Sequence, residues 1–189
     1  MTPAVKVCGV CDAAFAAAAA GRGVDYIGVI FAANSPRRVT PAAAAEIARA
    51  ARRGGRARVV GVFVEQPAEE IVRIMRGAGF DVVQLHRRAS ADDVSALRAA
   101  GFEVWTLAGG APGDGVLFDS SHGDGETEFR KGPYRTIVAG GVSAANVAGA
   151  LELGPDVIDV NSSLETAPGV KSAALLDAFL ESMRSRILV

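Results

Sequence analysis

Short apolar runs rich in β-branched residues alternate along the chain with alanine-rich helical stretches. The runs cover residues 5–10, 26–31, 58–64, 82–86, 103–107, 115–119, 135–140 and 157–161. Most are apolar almost throughout, the mark of parallel strands covered on both faces. Helical stretches lie between many of them, at 12–20, 41–53, 67–76, 90–100, 143–153 and 172–186. Start signals agree: Thr40 precedes Pro41 at a first helical turn, and Ser90 and Ser143 open helices in the same way. Gly21, Gly77, Gly79, Gly101 and Gly154 stand where helices should close. Eight strands in strict β-α order predict a (β/α)8 TIM barrel, with a doubly wound sheet as the alternative, and residues 1–189 read as a single domain. The helices due after the fifth and sixth strands are reduced or missing. Only a Gly/Pro loop at 108–114 separates those two strands, and 120–134 is polar and glycine-rich.

Composition narrows the partners. Half of the 189 residues are hydrophobic and the net charge is −1, so no basic surface is expected for nucleic acid or an anionic membrane. No apolar run approaches the roughly 20 residues of a membrane span. The chain begins by leading into a strand, so no signal peptide is expected. Both cysteines fall in one stretch, Val5-Lys6-Val7-Cys8-Gly9-Val10-Cys11, which makes no disulfide framework and suits a reducing, cytoplasmic setting. A zinc site is disfavoured because the only histidines, His86 and His122, lie far apart in sequence. A dithiol redox pair stays as a minor reading of the C-x-x-C spacing.

In such a barrel the chemistry sits at the C-terminal strand ends and the loops that follow. Cys8, Arg37, His86, Asp119, Gly140, Gly141, Ser162 and Ser163 all fall there. Side chains alternate along a strand, so Lys6 and Cys8 share a face, as do Leu117 and Asp119, and Asp159 and Asn161. A thiol and a carboxylate from opposite sides of a barrel mouth make an acid/base pair, and Lys6 beside Cys8 would favour thiolate. The bland alternatives are a buried apolar Cys8 and a structural ion pair between Lys6 and Asp159. Gly140-Gly141 and Ser162-Ser163 fit a single phosphate held by backbone N–H groups. Arg37 suits a carboxylate, and Arg38 reads as a solvated loop charge.

These motifs resemble phosphoribosylanthranilate isomerase of tryptophan biosynthesis. The family's K-[IV]-C-G is matched by Lys6-Val7-Cys8-Gly9, and its F-x-x-x-S-P-R loop by Phe31 to Arg37. Its V-Q-L-H-G becomes Val83-Gln84-Leu85-His86-Arg87, and its L-L-D becomes Leu117-Phe118-Asp119. Ala139 to Val147 match A-G-G-[LV]-x-x-x-N-V, and Asp159 to Lys171 match D-V-S-S-G-V-E-x-x-P-G-x-K. The resemblance implies an Amadori rearrangement of N-(5-phosphoribosyl)anthranilate, with Asp119 as acid and Cys8 as base. It further implies Arg37 and His86 on the substrate, Gly140, Gly141, Ser162 and Ser163 on its phosphate, and neither cofactor nor metal. The partner is then a small phosphorylated substrate, and the assembly a monomer or homodimer. Cys11 stands where the family usually has Thr. Departures include Thr106-Leu107 for a Lys-Ala, Asn161 and Ser163 in the phosphate motif, and Asp124, Glu126 and Glu128 in the loop after strand six. Those acids would repel an anionic substrate. The other function class is a barrel that binds a phosphorylated or carboxylated metabolite without turnover.

Overall fold

The computed structural model describes residues 2–121 and 129–187. Eight parallel strands close into a barrel in sequence order: β1 (Ala4–Val7), β2 (Tyr26–Ile30), β3 (Arg58–Phe63), β4 (Val82–Leu85), β5 (Glu103–Leu107), β6 (Gly115–Asp119), β7 (Arg135–Ala139) and β8 (Val157–Val160). β1 pairs with β8 in register from Ala4↔Val157 to Val7↔Val160, which shuts the ring. Around it lie α1 (Ala13–Gly21), α2 (Pro41–Gly54), α3 (Ala68–Ala78), α4 (Ala91–Ala99), α5 (Val147–Glu152) and α6 (Ala173–Ile187). A two-stranded antiparallel hairpin, β9 (Glu165–Ala167) with β10 (Val170–Lys171), fills part of the loop after β8.

Strand alternation produces two apolar layers. Val5, Val7, Ile27, Val29, Val59, Val83 and Val160 pack outward against the helices, while Tyr26, Val60, Val82, Trp105, Leu117, Ile137 and Val157 fill the barrel interior. Beneath the interior layer, Glu103 Oε1 accepts from Trp105 Nε1 at 2.7 Å and from Arg135 at 2.6 Å, and its other oxygen accepts from Arg58 at 2.6 Å. That network floors the barrel, so the opposite end is the open one.

The N-terminal ends of the strands carry a repeat that the sequence alone did not reveal. Asp25, Asp81, Asp114 and Asp156 each stand one residue before an even-numbered strand. Their carboxylates accept the backbone N–H of Val5 at 2.8 Å, Val59 at 2.7 Å, Val104 at 2.8 Å and Thr136 at 2.7 Å, each on the preceding odd-numbered strand. Each aspartate also donates its own N–H to the carbonyl of that same residue. One aspartate per two strands is too sparse a signal to read as an internal repeat.

No helix lies between β5 and β6, as expected. The 108–114 loop is closed instead by polar contacts: Thr106 Oγ1 accepts from Gly113 N at 3.1 Å, and Ala111 N donates to Ala89 O at 2.9 Å. The Thr106 departure from the family pattern therefore has a structural use. Residues 122–128 between β6 and β7, with Asp124, Glu126 and Glu128, lie outside the described residues.

Three local expectations are corrected. The helix after β7 begins at Val147, not Ser143, because Asn146 Oδ1 accepts Ser143 N–H at 2.7 Å and its Nδ2 donates to Gly141 O at 2.9 Å, holding a turn. Gly21 and Gly77 sit inside their helices, and the left-handed positions after them are Gly23 and Gly79. The first strand stops at Val7 because Gly9 takes a φ of +69°. Thr40 and Ser90 cap their helices as expected, Ser90 within a capping box with Asp93.

Candidate active site

A cavity of about 520 Å³ opens at the C-terminal end of the barrel, and Cys8, Arg37, His86, Asp119, Gly140, Gly141 and Ser162 all line it. Of the anticipated residues, Ser163 alone is set back: its hydroxyl donates to Val142 O at 2.6 Å. Val62, Gln84, Asp159 and Asn161 complete much of the wall. Cys8 follows β1 and Asp119 ends β6, three strands away around the ring.

Cys8 lies beside a buried ion pair. Lys6 Nζ donates to Asp159 Oδ2 at 2.6 Å, with the lysine side chain fully buried. The sheet makes room for this by placing Gly28 opposite: a Cβ there would come within 3.0 Å of the Cys8 sulfur and 3.1 Å of Lys6 Nζ. Burial alone would lower the Lys6 ammonium, but attraction to Asp159 and then to Cys8 outweighs it and leaves it raised. For Cys8 the balance runs the other way. Burial pushes the thiol up and Lys6 recovers only part of that, so the expected bias toward thiolate is corrected: the surroundings favour the thiol. Asp159 Oδ1 and Gln84 Oε1 are buried and have no hydrogen-bond partner among the described residues. Both belong to side chains on the cavity wall, where a polar ligand can satisfy them.

On the far side, Asp119 Oδ1 accepts from Ser121 N at 2.9 Å and from Ser121 Oγ at 2.5 Å. Its Oδ2 is 3.7 Å from His86 Nε2, while Gln84 Nε2 stands 3.3 Å from His86 Nδ1. Nε2 of the imidazole thus faces Asp119 and Nδ1 faces the Gln84 amide. Gly140 packs under Asp119 so closely that a Cβ would lie 2.6 Å from Oδ1. Arg87, where the family has glycine, forms a bidentate pair with Asp93 at 2.7 and 3.0 Å outside the cavity.

At another corner of the cavity, Gly140 and Gly141 adopt φ of +89° and +64°. Ser162 opens a 3₁₀ turn, Ser162–Leu164, whose first N–H groups have no acceptor within the turn. Backbone donors from two loops thus border one corner of the cavity.

The guanidinium of Arg37 is already engaged. Its Nε and Nη2 donate to the two oxygens of Glu165 at 2.8 and 2.6 Å. Lys171, on the other strand of the β9–β10 hairpin, donates to Glu165 Oε1 at 2.8 Å and to Asn161 O and Oδ1 at 2.9 and 2.7 Å. Burial alone would raise the Glu165 carboxyl, but the bonds from Arg37 and Lys171 outweigh it and bring it down to about 2. Sequence reasoning singled out neither Glu165 nor Lys171. The only signal was their place in the last family motif.

Cys11 does not line the cavity. Its thiol donates to the carbonyls of Gly9 and Arg37 at 3.6 and 3.4 Å, beneath the Arg37 loop, and both cysteines are free. The two thiols therefore have separate surroundings, and C-x-x-C marks no disulfide here.

Cys8, Arg37, Asp119 and the Gly140, Gly141 and Ser162 corner border one cavity, and relatives share the whole frame. The family model described as N-(5'phosphoribosyl)anthranilate (PRA) isomerase matches residues 5–182. The N-(5'-phosphoribosyl)anthranilate isomerase of Rubrobacter xylanophilus is 36% identical over 205 residues, covering 96% of this chain and 98% of that one. That of Rhodospirillum centenum is 34% identical over 210 residues, with 93% and 95% covered. The crystal structure of phosphoribosyl anthranilate isomerase from Thermus thermophilus matches with a TM-score of 0.84 at 32% identity, over 96% of this chain and 98% of that chain. With the match running the length of the barrel, the chain belongs to the N-(5'-phosphoribosyl)anthranilate isomerase family.

Proposed function

We propose that this family member catalyses the Amadori rearrangement of N-(5-phosphoribosyl)anthranilate to 1-(2-carboxyphenylamino)-1-deoxyribulose 5-phosphate, a step of tryptophan biosynthesis. The observation that carries the reading is a thiol, Cys8, and a carboxyl, Asp119, on opposite walls of one cavity. Asp119 gives a proton to the ribose ring oxygen, the C1'–O bond breaks, and the nitrogen lone pair forms a Schiff base. Cys8, once deprotonated, takes the C2' proton. Those electrons form the C1'–C2' double bond of an enolamine, and the C=N electrons return to nitrogen. Tautomerisation of the enolamine then places the carbonyl at C2'. No atom is gained or lost over the sequence, and Asp119 and Cys8 between them serve its proton transfers.

Arg37 takes the anthranilate carboxylate, and His86 stands beside Asp119 to contact the sugar. Backbone N–H groups around Gly140, Gly141, Ser162 and Ser163 take the phosphate. Because burial holds the Cys8 thiol up, its thiolate is scarce near neutral pH but strongly basic when formed. Free thiols fit a reducing cytoplasm. The partner is a small phosphorylated molecule rather than nucleic acid or a membrane, and the working unit is a monomer or homodimer. No described helix is long and apolar enough to cross a membrane.

The test supplies the ribosylanthranilate substrate and follows loss of its fluorescence. Cys8→Ser and Asp119→Asn should each abolish turnover in a folded protein, and Cys11→Ser should retain most of it. Turnover by Cys8→Ser together with a dead Cys11→Ser would overturn the assignment. A sulfate soak should place an anion between Gly141 and Ser162, and an anion bound only elsewhere would remove the phosphate site.

A further inference from the structure

The Arg37 guanidinium is not presented to the cavity on a free side chain. Glu165 holds its Nε–Nη2 edge with two short hydrogen bonds, and among the described residues Nη1 has no partner. An arginine has five donors, so with one edge taken the Nη1–Nη2 edge can still receive a carboxylate. Glu165 is fixed in turn by Lys171, and Lys171 is fixed by the backbone and side-chain oxygens of Asn161, just beyond β8. The hairpin makes the Glu165–Lys171 link possible, because its register sets Lys171 opposite Glu165. Two further contacts seat the loop from below. Gly9 lies so near the Arg37 side chain that a Cβ would fall 2.6 Å from its Cδ, and Cys11 donates to the Arg37 carbonyl.

We infer that Glu165 is a positioning residue, which with Lys171 orients Arg37 for the carboxylate of the substrate and so sets specificity for a carboxylated aryl amine. The inference rests on the reading that Arg37 takes that carboxylate. Two features favour it over a purely structural ion pair. First, two cations share one carboxylate, so the cluster keeps the positive charge a substrate carboxylate requires. Secondly, the chain of bonds ends at Asn161, which adjoins Ser162 at the amide-lined corner. Arg37 comes from the loop after β2, yet its direction is referenced to β8. The carboxylate and phosphate ends of the substrate are thereby held in one frame, with the spacing fixed before binding. Preorganisation of this kind raises affinity by removing the ordering cost of a long side chain.

The test compares two substrates, N-(5-phosphoribosyl)anthranilate and the aniline analogue that lacks the carboxylate. Glu165→Gln should raise KM for the anthranilate substrate about tenfold, the worth of one charge-assisted bond, with kcat within about twofold. It should leave kcat/KM for the aniline analogue unchanged. In an Arg37→Ala background it should add nothing, since two residues acting through one contact are not additive. Equal losses on both substrates, or additive losses with Arg37→Ala, would overturn the inference and mark Glu165 as structural. Should Glu165→Gln fail to fold, Glu165→Asp keeps the charge but loses the reach and should show the same substrate-selective defect. The parent reading fails separately: it is lost if Arg37→Ala itself does not discriminate between the two substrates, and this inference goes with it.

Discussion

Replacing Lys6 by Met tests the buried pair on which the Cys8 wall is built. Met is close to Lys in volume and needs no partner, so the exchange removes the ammonium with little change in packing. It strands Asp159, whose residue is 7% exposed and whose Oδ1 already lacks a hydrogen bond among the described residues. Breaking a buried pair by removing one member costs about 3–5 kcal/mol. Because Asp159 borders the cavity and keeps some exposure, the lower end, about 3 kcal/mol, applies. At roughly 2–4 °C per kcal/mol for a chain of this size, the melting temperature should fall by roughly 6–12 °C near pH 8. The deficit must depend on pH. Burial raises the Asp159 carboxyl even with Lys6 present, and without Lys6 it rises further. A group raised in the folded state loses stability as pH climbs through that raised value. The variant should therefore approach the parent near pH 4.5 and fall behind as the carboxyl ionises. In the parent the raised Lys6 contributes throughout this window and is lost only in strong alkali. The assay is urea and thermal unfolding by circular dichroism at pH 4.5 and pH 8, with Lys6→Met/Asp159→Asn alongside. The double variant should regain most of the loss, and its remaining deficit from the parent should lack the fall between pH 4.5 and pH 8 that the single variant shows. An equal deficit at both pH values, or a double variant no more stable than the single, would refute the reasoning.

Three other outcomes follow from the same geometry. In the intact enzyme kcat/KM should still be rising at pH 8.5, because Cys8, the proposed base, must lose a proton that burial holds on; a plateau reached by pH 7 would remove Cys8 as the base. Asp156→Ala strips the acceptor from Thr136 N and Oγ1, and should cost about 2 kcal/mol at pH 7, tempered by the exposure of the carboxylate. Its folded-state carboxyl is lowered, first by the Thr136 N–H, so the gap between parent and variant should close as pH falls below about 4; a gap that persists in acid counts against the clamp. Gly9→Ala places a Cβ 2.6 Å from Arg37 Cδ at a φ of +69°, and should raise KM several-fold more than it lowers kcat. An unchanged KM would show that Arg37 tolerates displacement.

Most of the barrel was legible because parallel strands bury both faces and so print unbroken apolar runs. β5 and β6 fall on their predicted limits, and the other strands lie inside or within a residue of theirs. Boundaries failed where a side chain overrode the local pattern, as at Asn146, which holds a turn where a helix was expected. The candidate site was legible as a set of strand ends, and seven of the eight anticipated residues line one cavity. Interactions between distant segments were not. Glu165 meets Arg37 across 128 residues, and no spacing rule reaches that far. Nor did the charges around Cys8 reveal that burial outweighs Lys6, since burial is a property of the closed barrel and not of the stretch Lys6-Val7-Cys8.

The distribution of charge around the mouth explains why the two ends of an anionic substrate would be met by different chemistry. Among the described residues, Arg37 is the only Lys or Arg side chain on the cavity wall. Lys6 is spent on Asp159, and Lys171 is turned toward Glu165 and Asn161. A phosphate at the Gly141–Ser162 corner would therefore have no lysine or arginine beside it within the described wall, and backbone amides would carry it. Amides bind without a mobile charged side chain and leave the single arginine for the carboxylate, where a planar fork discriminates and an amide corner does not. Had both ends relied on arginine, an inverted substrate would bind nearly as well. On the proposed reading, dividing the work between a latched guanidinium and a pair of loop corners would give the substrate one orientation, with the C2' proton toward Cys8 and the ring oxygen toward Asp119.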